Sequence, residues 1–259
     1  MKSTDDEATH DANVTNQFGP RARAYVDSAV HALGADLARI AEVAAASRPA
    51  RAIDLGCGGG HVTYAMAAHA GETVACDLSA EMLAAVGETA SARGLTGVRT
   101  VRSSAEKLPF DTASFDMLGC RFSAHHWQEV DAGLREARRV LKPGAPALFV
   151  DVVAPPAPLL DTHLQGVELL RDTSHVRDYS VVEWNTKLEA AGFEVRKVDS
   201  WRLRMDFPVW IARMATPPAL ATAIRMVQDS APEEVRRHFA IEADGSFMLD
   251  MAMFEAVAG

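Results

Sequence analysis

The sequence predicts an α/β fold in which helices cover both faces of a mostly parallel sheet of seven strands. Two observations support this prediction. Between residues 51 and 153, strand-like apolar segments and helical segments alternate five times, as in a succession of βαβ units. A loop with four glycines in five residues follows the first of these strands, at the edge where such sheets bind ligands.

The elements of this sheet can be assigned in chain order. Strands are predicted at 51–55, 73–77, 98–104, 114–122 and 145–153, and helices at 61–70, 79–94 and 130–141. Ser79 is placed to cap the second of these helices and Gly94 to end it. The segment 194–206 alternates like an antiparallel strand, and 246–258 completes the sheet.

The N-terminal part has a different character. Residues 1–17 are polar and acidic, lack the basic and apolar regions of a signal peptide, and are predicted to form a disordered tail. A helical pattern rich in alanine and leucine follows at 20–46, as one helix or as two divided at Gly34. Residues 18–153 then hold the N-terminal helices and the half of the sheet expected to bind a ligand.

Residues 154–259 are predicted to complete the same domain. Within them, 181–193 is expected to be a helix that covers the sheet, whereas 154–180 and 207–240 are additional to it. Ligands of open α/β sheets bind beyond the carboxyl ends of the strands. We therefore expect the two additional segments to form a helical lid over that edge.

Composition limits the possible partners of the chain. The formal net charge of −9 argues against non-specific binding to nucleic acid. Cys57, Cys76 and Cys120 form no CxxC pair, which argues against a disulfide framework or a zinc site and favours the cytoplasm. No apolar run reaches the ~18 residues of a transmembrane helix. The expected partner is a small molecule, with no nucleic acid and no membrane.

The segment AIDLGCGGGHV places Asp54 before a loop that contains Gly56, Gly58 and Gly60. The loop lacks the lysine of a phosphate-binding P-loop, and its third glycine comes one residue too early for the dinucleotide fingerprint. An acid at this position suits a nucleoside-linked cation with an ammonium group. Asp77 ends the second strand, where an acid accepts hydrogen bonds from the ribose of either NAD or S-adenosylmethionine.

Four motifs in order carry a resemblance to a known family. They are AIDLGCGGG, VACDLSAEML, SSAEKLPFDTASFDML and RVLKPGAPALFVD. This series resembles class I S-adenosylmethionine-dependent methyltransferases, in the small-molecule branch of ubiquinone/menaquinone-biosynthesis-type (methyltransferase type 11) enzymes. The resemblance implies a Rossmann-like fold, S-adenosylmethionine as cofactor, and methyl transfer by in-line displacement to an O, N or C atom of a small molecule.

The resemblance also assigns cofactor-binding roles by position. The glycines let the backbone approach the methionine part of the cofactor, Asp54 orders their loop, and Asp77 holds the ribose. Ser104 stands where the family often has an aspartate that binds the adenine amino group, so a weaker hydrogen bond is expected there. The residues expected at the cofactor are Phe18, Tyr25, Asp54, Gly56, Gly58, Gly60, Asp77, Leu78, Ser104, Ala105, Cys120 and Arg121.

Catalytic and substrate-binding candidates lie beyond the fourth strand and near residue 175. His126 and His125 are candidate general bases, because imidazole titrates near neutral pH; the alternative is a pair of loop histidines bonded to backbone. Arg171, His175 and Arg177 are candidate substrate contacts, or else part of a salt-bridged helix end. The spacing of the three histidines matches no known ligand pattern, so no metal is expected.

Two alternative functions remain open at this point. One is a nicotinamide-dependent oxidoreductase on a similar sheet, against which the glycine spacing and Asp54 argue. The other is a non-catalytic module that binds the cofactor and transfers nothing.

Overall fold

The computed structural model describes residues 9–26 and 34–259 and contains one seven-stranded sheet. The strands are β1 Arg51–Leu55, β2 Glu72–Asp77, β3 Val98–Arg102, β4 Met117–Arg121, β5 Pro146–Val152, β6 Phe193–Met205 and β7 Phe247–Ala258. Their spatial order is β3-β2-β1-β4-β5-β7-β6, and β7 runs antiparallel to both of its neighbours. The predicted mostly parallel, Rossmann-like sheet is confirmed.

Helices surround this sheet on both faces and at one edge. They are α1 His10–Phe18, α2 Ala22–Val26, α3 Ala35–Ser47, α4 His61–Ala67, α5 Ala80–Ala92, α6 Val130–Val140, α7 Pro158–Arg171, α8 Val181–Ala190, α9 Phe207–Met214, α10 Pro218–Asp229 and α11 Glu233–His238. Short 3₁₀ turns at Gly19–Arg21 and Ala124–His126 connect neighbouring elements.

The order of the strands fixes where a ligand can bind. β1 pairs in parallel with β2 on one side and with β4 on the other. The chain therefore turns outward in opposite directions from β1 and β4, and leaves a crevice at their carboxyl ends. Asp54 and Asp77 lie near the carboxyl ends of β1 and β2, and both belong to this crevice.

The hydrophobic core is divided by the sheet. On one face, α6 and α8 bury Leu134 and Trp184 against the strands. On the other face, α3 and α4 contribute Ile40 and Met66. A separate cluster around Trp210 joins α7, α9 and α10 to the ends of β6 and β7. The two segments that follow β5 and β6 thus share a core of their own. No helix among the residues that the structure describes is long and apolar enough to cross a membrane.

The prediction of a disordered tail over 1–17 is wrong for its second half. Helix His10–Phe18 lies against the loop that follows α7 and against the 3₁₀ turn after β4. The ring of His10 hydrogen-bonds the carbonyl oxygen of His126 at 2.7 Å, and the Asn13 amide donates to the carbonyl of Thr173 at 2.8 Å. The segment is polar by sequence, and it is ordered through contacts with residues more than a hundred positions away.

In the predicted helical region 20–46, the structure describes a 3₁₀ turn at Gly19–Arg21, α2 at Ala22–Val26, and α3 from Ala35, directly after Gly34. Residues 1–8 and 27–33 lie outside the described residues.

Trp184 offers a direct test of the core. Its side chain is buried and stacks on Phe254 with ring centroids 5.3 Å apart. We expect Trp184→Ala to lower the free energy of unfolding by about 3–5 kcal/mol, because the substitution leaves a large cavity between α8 and the sheet. Urea denaturation measures this loss. Val182 lies on the same helix with 71% of its surface exposed, so Val182→Ala should change stability by less than about 0.5 kcal/mol. Equal effects of the two substitutions would contradict this assignment of the core.

Candidate active site

A cavity of about 190 Å³ lies at the carboxyl ends of β1, β2 and β4, under α1, α2, α7 and α9. Most of the residues predicted from the sequence as site residues line it. They are Phe18, Tyr25, Asp54, Gly56, Gly58, Asp77, Leu78, Ser104, Ala105, Arg121, His125, His126 and Arg171. Four predicted site residues are not part of its lining: Gly60, Cys120, His175 and Arg177.

The glycine loop leaves open space at the cavity. A Cβ atom at Gly56 would lie 1.7 Å from Oγ of Ser123, and Gly56 adopts a φ of +66°. Both this steric clash and the left-handed backbone conformation disfavour any other residue at this position. Gly58 also has a left-handed φ of +46°, but no atom lies within 4 Å of the position its Cβ would take. The loop therefore packs tightly on one side and presents bare backbone on the side that lines the cavity.

Asp77 ties this loop to the end of β2. One carboxylate oxygen accepts the backbone N–H of Gly58 at 2.9 Å, and the other accepts that of Ser79 at 2.9 Å. Burial raises the pKa of Asp77, although these two backbone hydrogen bonds oppose the rise. Each oxygen keeps a further acceptor position, so a ribose hydroxyl can bind a carboxylate that is already oriented.

Asp54 is fixed at the start of α4. One of its carboxylate oxygens accepts the backbone N–H of Thr63 at 2.8 Å and the Thr63 hydroxyl at 2.6 Å. Burial raises the pKa of Asp54 to about 7, against the effect of these bonds. Gly60 precedes α4 with its Cβ position against Tyr64 rather than at the cavity, so its predicted contact with the cofactor is not supported.

The N-terminal helices close the loop from the other side. The backbone of Tyr25 comes within 2.7 Å of the position that a Cβ of Gly59 would occupy, and its carbonyl oxygen is hydrogen-bonded to the His61 ring at 3.0 Å. Phe18 contacts both Tyr25 and His126 edge to face. The aromatic residues predicted from the sequence to cover the cofactor therefore cover the cavity.

The predicted adenine side shows one difference from expectation. The hydroxyl of Ser104 donates to the Glu106 carboxylate at 3.0 Å and accepts the Glu106 backbone N–H at 3.2 Å. It is thus engaged within its own turn. Leu78 and Ala105 line the cavity beside it.

Cys120 and Arg121, at the end of β4, have side chains in different environments. Cys120 is buried in the core that α6 and α8 form with the sheet, and burial raises the pKa of its thiol well above the ordinary range, so its side chain does not reach the cavity. Arg121 lines the cavity and pairs with the buried carboxylate of Asp36 on α3. It joins α3 to the end of β4 next to the glycine loop.

His125 is held by a buried carboxylate. Its Nδ1 lies 2.6 Å from Oδ1 of Asp151, the last acid of β5, whose side chain is 3% exposed. Burial disfavours the charged imidazole, but the Asp151 carboxylate outweighs this and raises the pKa of His125 to about 9. His125 is therefore an imidazolium at neutral pH.

His126 has the opposite character. Burial and the neighbouring charge of His125, whose ring centroid is 4.2 Å away, lower the pKa of His126 well below its usual value. Its Nδ1 lies 3.0 Å from the carbonyl oxygen of Ser174. Because a carbonyl only accepts, Nδ1 carries the proton and Nε2 carries the lone pair. Nε2 makes no hydrogen bond to any residue in the described ranges.

His175 and Arg177 were predicted at the substrate, but their side chains are engaged elsewhere. The His175 ring is hydrogen-bonded to Gln165 at 2.8 Å, and burial lowers the pKa of His175 to about 3. Arg177 pairs with Asp161 at 3.0 Å and with Glu183 at 3.5 Å. Both residues stabilise the junction between α7 and α8. Of the three predicted substrate residues, only Arg171 lines the cavity.

Several groups at the site were not predicted from the sequence. Asp151 does not line the cavity but holds His125, and its place near the end of an apolar strand resembles that of Asp54 and Asp77. Glu168, Asp178 and Arg213 carry no such signal, because their helices and loops meet only in the tertiary structure. Oδ2 of Asp178 is buried without a hydrogen-bond partner among the described residues.

Three residues near the cavity could in principle bind a metal ion. His125, Asp151 and Asp178 offer ligand atoms that lie within 4.8 Å of one another. Nδ1 of His125 is already hydrogen-bonded to Asp151, and a cation would have to displace that proton. The absence of a resident metal stays a prediction.

Comparison with known proteins identifies the family. Residues 53–149 match the model of the methyltransferase domain family. YafE of Escherichia coli (strain K12) is 46% identical over 197 residues, which are 76% of this chain and 95% of YafE. The uncharacterized methyltransferase YcgJ of Bacillus subtilis (strain 168) is 34% identical over 230 residues, 88% of this chain and 91% of YcgJ. The chain belongs to the S-adenosylmethionine-dependent methyltransferases.

Structural comparison of this methyltransferase agrees with the sequence. The crystal structure of YcgJ from Bacillus subtilis matches it with a TM-score of 0.82 at 32% identity, over 86% of this chain and 97% of YcgJ. The ubiquinone/menaquinone biosynthesis C-methyltransferase UbiE of Bradyrhizobium diazoefficiens is 36% identical over a shorter region, 44% of this chain and 47% of UbiE. None of these matches supports the oxidoreductase alternative.

The cavity of this methyltransferase fits its cofactor, S-adenosylmethionine. Bare backbone at Gly58 leaves room beside the loop, the buried carboxylate of Asp54 suits the ammonium group, and Asp77 is oriented for ribose hydroxyls. Leu78 and Ala105 would flank the adenine.

The affinity for the cofactor product tests the role of Asp77. We expect Asp77→Ala to bind S-adenosylhomocysteine at least tenfold more weakly, a loss of about 1.4 kcal/mol, because two charge-assisted hydrogen bonds disappear. Isothermal titration calorimetry gives the affinity. Asp111 is an exposed acid outside the cavity, so Asp111→Ala should bind as the wild type does. Unchanged affinity in a folded Asp77→Ala protein would refute this role.

The protonation of Asp54 gives a second test. At pH 7, near its pKa of about 7, Asp54 is partly protonated, and an ammonium group beside it favours the carboxylate. Binding of S-adenosylhomocysteine should therefore release protons at pH 7, and this release should vanish near pH 9, where Asp54 is already ionised. Calorimetry in buffers with different ionisation enthalpies measures the release. Asp54→Asn should remove it, and an unchanged release in that variant would assign the proton to another group.

Proposed function

We propose that this methyltransferase acts on a small-molecule acceptor whose nucleophilic atom, O, N or C, loses a proton to His126. The observation that carries this proposal is the state of His126 in the cavity. Its pKa is lowered well below the usual value, and its Nδ1 is engaged with the carbonyl of Ser174. Nε2 is thus a neutral acceptor at neutral pH.

A weak base is sufficient at this position. The proton of an acceptor hydroxyl or amine becomes far more acidic as the new bond to the methyl carbon forms. The base therefore needs the right position and a free lone pair more than a high pKa. Since His126 stays neutral, none of the enzyme is lost in a protonated, inactive form.

His125 is poorly suited to be that base. Asp151 keeps it protonated at neutral pH, so it has no lone pair to offer. Its charge lowers the pKa of His126, and its backbone N–H also faces Asp151 at 3.3 Å. We assign His125 a positioning role: it orients the 3₁₀ turn and keeps its neighbour neutral. Two adjacent histidines with separated pKa values suit separate roles.

When bound, S-adenosylmethionine supplies a methyl group that is already activated by its sulfonium. The remaining task of the protein is to orient the acceptor and exclude water. Helices α1, α2, α7 and α9 surround the cavity and serve this purpose.

Several features favour a small acceptor over a macromolecule. The cavity is covered on several sides, and Leu203, Met205, Trp210, Leu249 and Met251 form an apolar wall in it. The net charge of −9 is unfavourable for nucleic acid. The UbiE relative is named for quinone biosynthesis, which supports a small acceptor here as well. Three buried thiols without disulfides favour the cytoplasm as the working compartment.

The role of His126 can be tested with His126→Asn. The amide nitrogen of asparagine can replace Nδ1 toward Ser174, but no group replaces Nε2. We expect transfer of labelled methyl groups from S-adenosylmethionine to an extract of small metabolites to fall by about 10²–10⁴-fold. The affinity for S-adenosylhomocysteine should stay the same.

The matched control is His69→Asn, since His69 is exposed and lies outside the cavity. Wild-type turnover in His126→Asn would eliminate His126 as the base. Failure of the wild type to label any small metabolite would contradict the small-molecule acceptor itself.

A further inference from the structure

We propose that Arg213 and Arg171 form a subsite for a carboxylate on the acceptor. This proposal rests on the proposed function, because it places the acceptor in the same cavity. Arg213 lies on α9 and Arg171 ends α7, so the subsite is built by the two lid segments.

Arg213 is a cation without a partner in the part of the chain that the structure describes. It lines the cavity, is only partly exposed, and makes no hydrogen bond or ion pair with the residues of the described ranges. Burial and the nearby charge of Arg171 lower its pKa. Withdrawing a guanidinium from water without a counter-charge is unfavourable, and a bound anion would remove that cost.

Arg171 lines the same cavity as Arg213, but its guanidinium already has a carboxylate partner, Glu168. Its Nε donates to the carbonyl oxygen of Trp210 at 3.2 Å, and its guanidinium lies 4.8 Å from the centroid of the Trp210 ring. Its Nη1 is 3.6 Å from Glu168. Glu168 thus pairs with Arg171, whereas Arg213 has no carboxylate partner among the residues that the structure describes.

Two other acids nearby, Asp172 and Asp151, have partners of their own and form no ion pair with Arg213. The carboxylate of Asp172 accepts the backbone N–H and the hydroxyl of Ser174 at 2.8 and 2.6 Å. Asp151 is paired with His125.

The surroundings define the class of ligand. Trp210 lies one helical turn before Arg213, and Met205, Leu203 and Leu249 continue the apolar wall beside the two arginines. A planar carboxylate matches the fork of a guanidinium. The ligand that suits both features is a small hydrophobic carboxylic acid.

A second source of a carboxylate is the methionine part of the cofactor. The acceptor is favoured because Arg171 and Arg213 come from the lid helices, whereas the glycine loop, Asp54 and Asp77 belong to β1 and β2. Arg171 also acts on His126, whose pKa its charge helps to lower.

The test compares acids with their amides, which share shape but not charge. Protein saturated with S-adenosylhomocysteine is titrated with benzoate and benzamide, phenylacetate and phenylacetamide, and hexanoate and hexanamide. We expect at least one acid to bind about tenfold more tightly than its amide, because only the acid forms a charge-assisted pair. Arg213→Met should abolish this preference. Arg177→Met, which removes an arginine outside the cavity, should keep it.

Arg213→Lys is a second variant, which keeps the positive charge but loses the paired N–H donors of the guanidinium. It should retain part of the preference for acids over amides. Equal binding of acids and amides, no binding of either, or a preference that survives in Arg213→Met would overturn the proposal. Thermal denaturation of each variant with S-adenosylhomocysteine verifies that it is folded.

A further titration separates the two sources of the carboxylate. Methylthioadenosine lacks the amino-acid part of S-adenosylhomocysteine. If Arg213→Met weakens S-adenosylhomocysteine but not methylthioadenosine, the subsite serves the cofactor and the acceptor assignment is wrong. Because these experiments measure binding alone, their failure is distinct from normal turnover in His126→Asn, which would refute the base and leave the acid preference intact.

Discussion

The carboxylate of Asp77 is the constraint on which the cofactor half of the molecule depends. A buried acid must be hydrogen-bonded, and Asp77 takes the backbone N–H groups of Gly58 and Ser79. One side chain thus fixes the glycine loop after β1, the end of β2 and the start of α5. The loop can lack side chains at its glycines because the Asp77 carboxylate fixes its backbone through the N–H of Gly58. The glycines leave the space, and the acid keeps their backbone in place.

The second half of the cavity depends on a different pairing of charge and burial. His125 and His126 are adjacent in sequence and share a 3₁₀ turn, yet their pKa values move in opposite directions. Asp151 reaches His125 across the sheet from β5, whereas Ser174 reaches His126 from the loop after α7. Partners from two different elements therefore decide which histidine is charged. The charge on one then keeps its neighbour neutral.

The covering helices join the two halves. Helix α1 contacts the His126 turn, and α2 contacts the glycine loop through Tyr25. The lid helices α7 and α9 bring arginine and tryptophan side chains to the opposite wall. A polar segment such as 10–18 has little reason to fold alone, since it buries almost no apolar surface. It is ordered because the turn and loop that it contacts are held by the sheet.

The sequence by itself determined the sheet, the glycine loop and the two acids at its edge. Strand and helix periodicity are local properties, and Asp54 and Asp77 follow apolar strands whose ends must meet in a parallel sheet. The same reasoning also predicted two adjacent histidines near the reaction. It did not decide between them. It predicted Arg177 at the substrate, whereas the structure pairs Arg177 with Asp161 and Glu183 and brings Arg213 to the cavity wall. Those outcomes depend on Asp151, Ser174, Glu168 and Trp210, which lie far away in the chain. Only the tertiary structure determines which charged side chains are buried next to one another. Burial and these neighbouring charges shift the pKa values of the histidines and so give them different chemical roles.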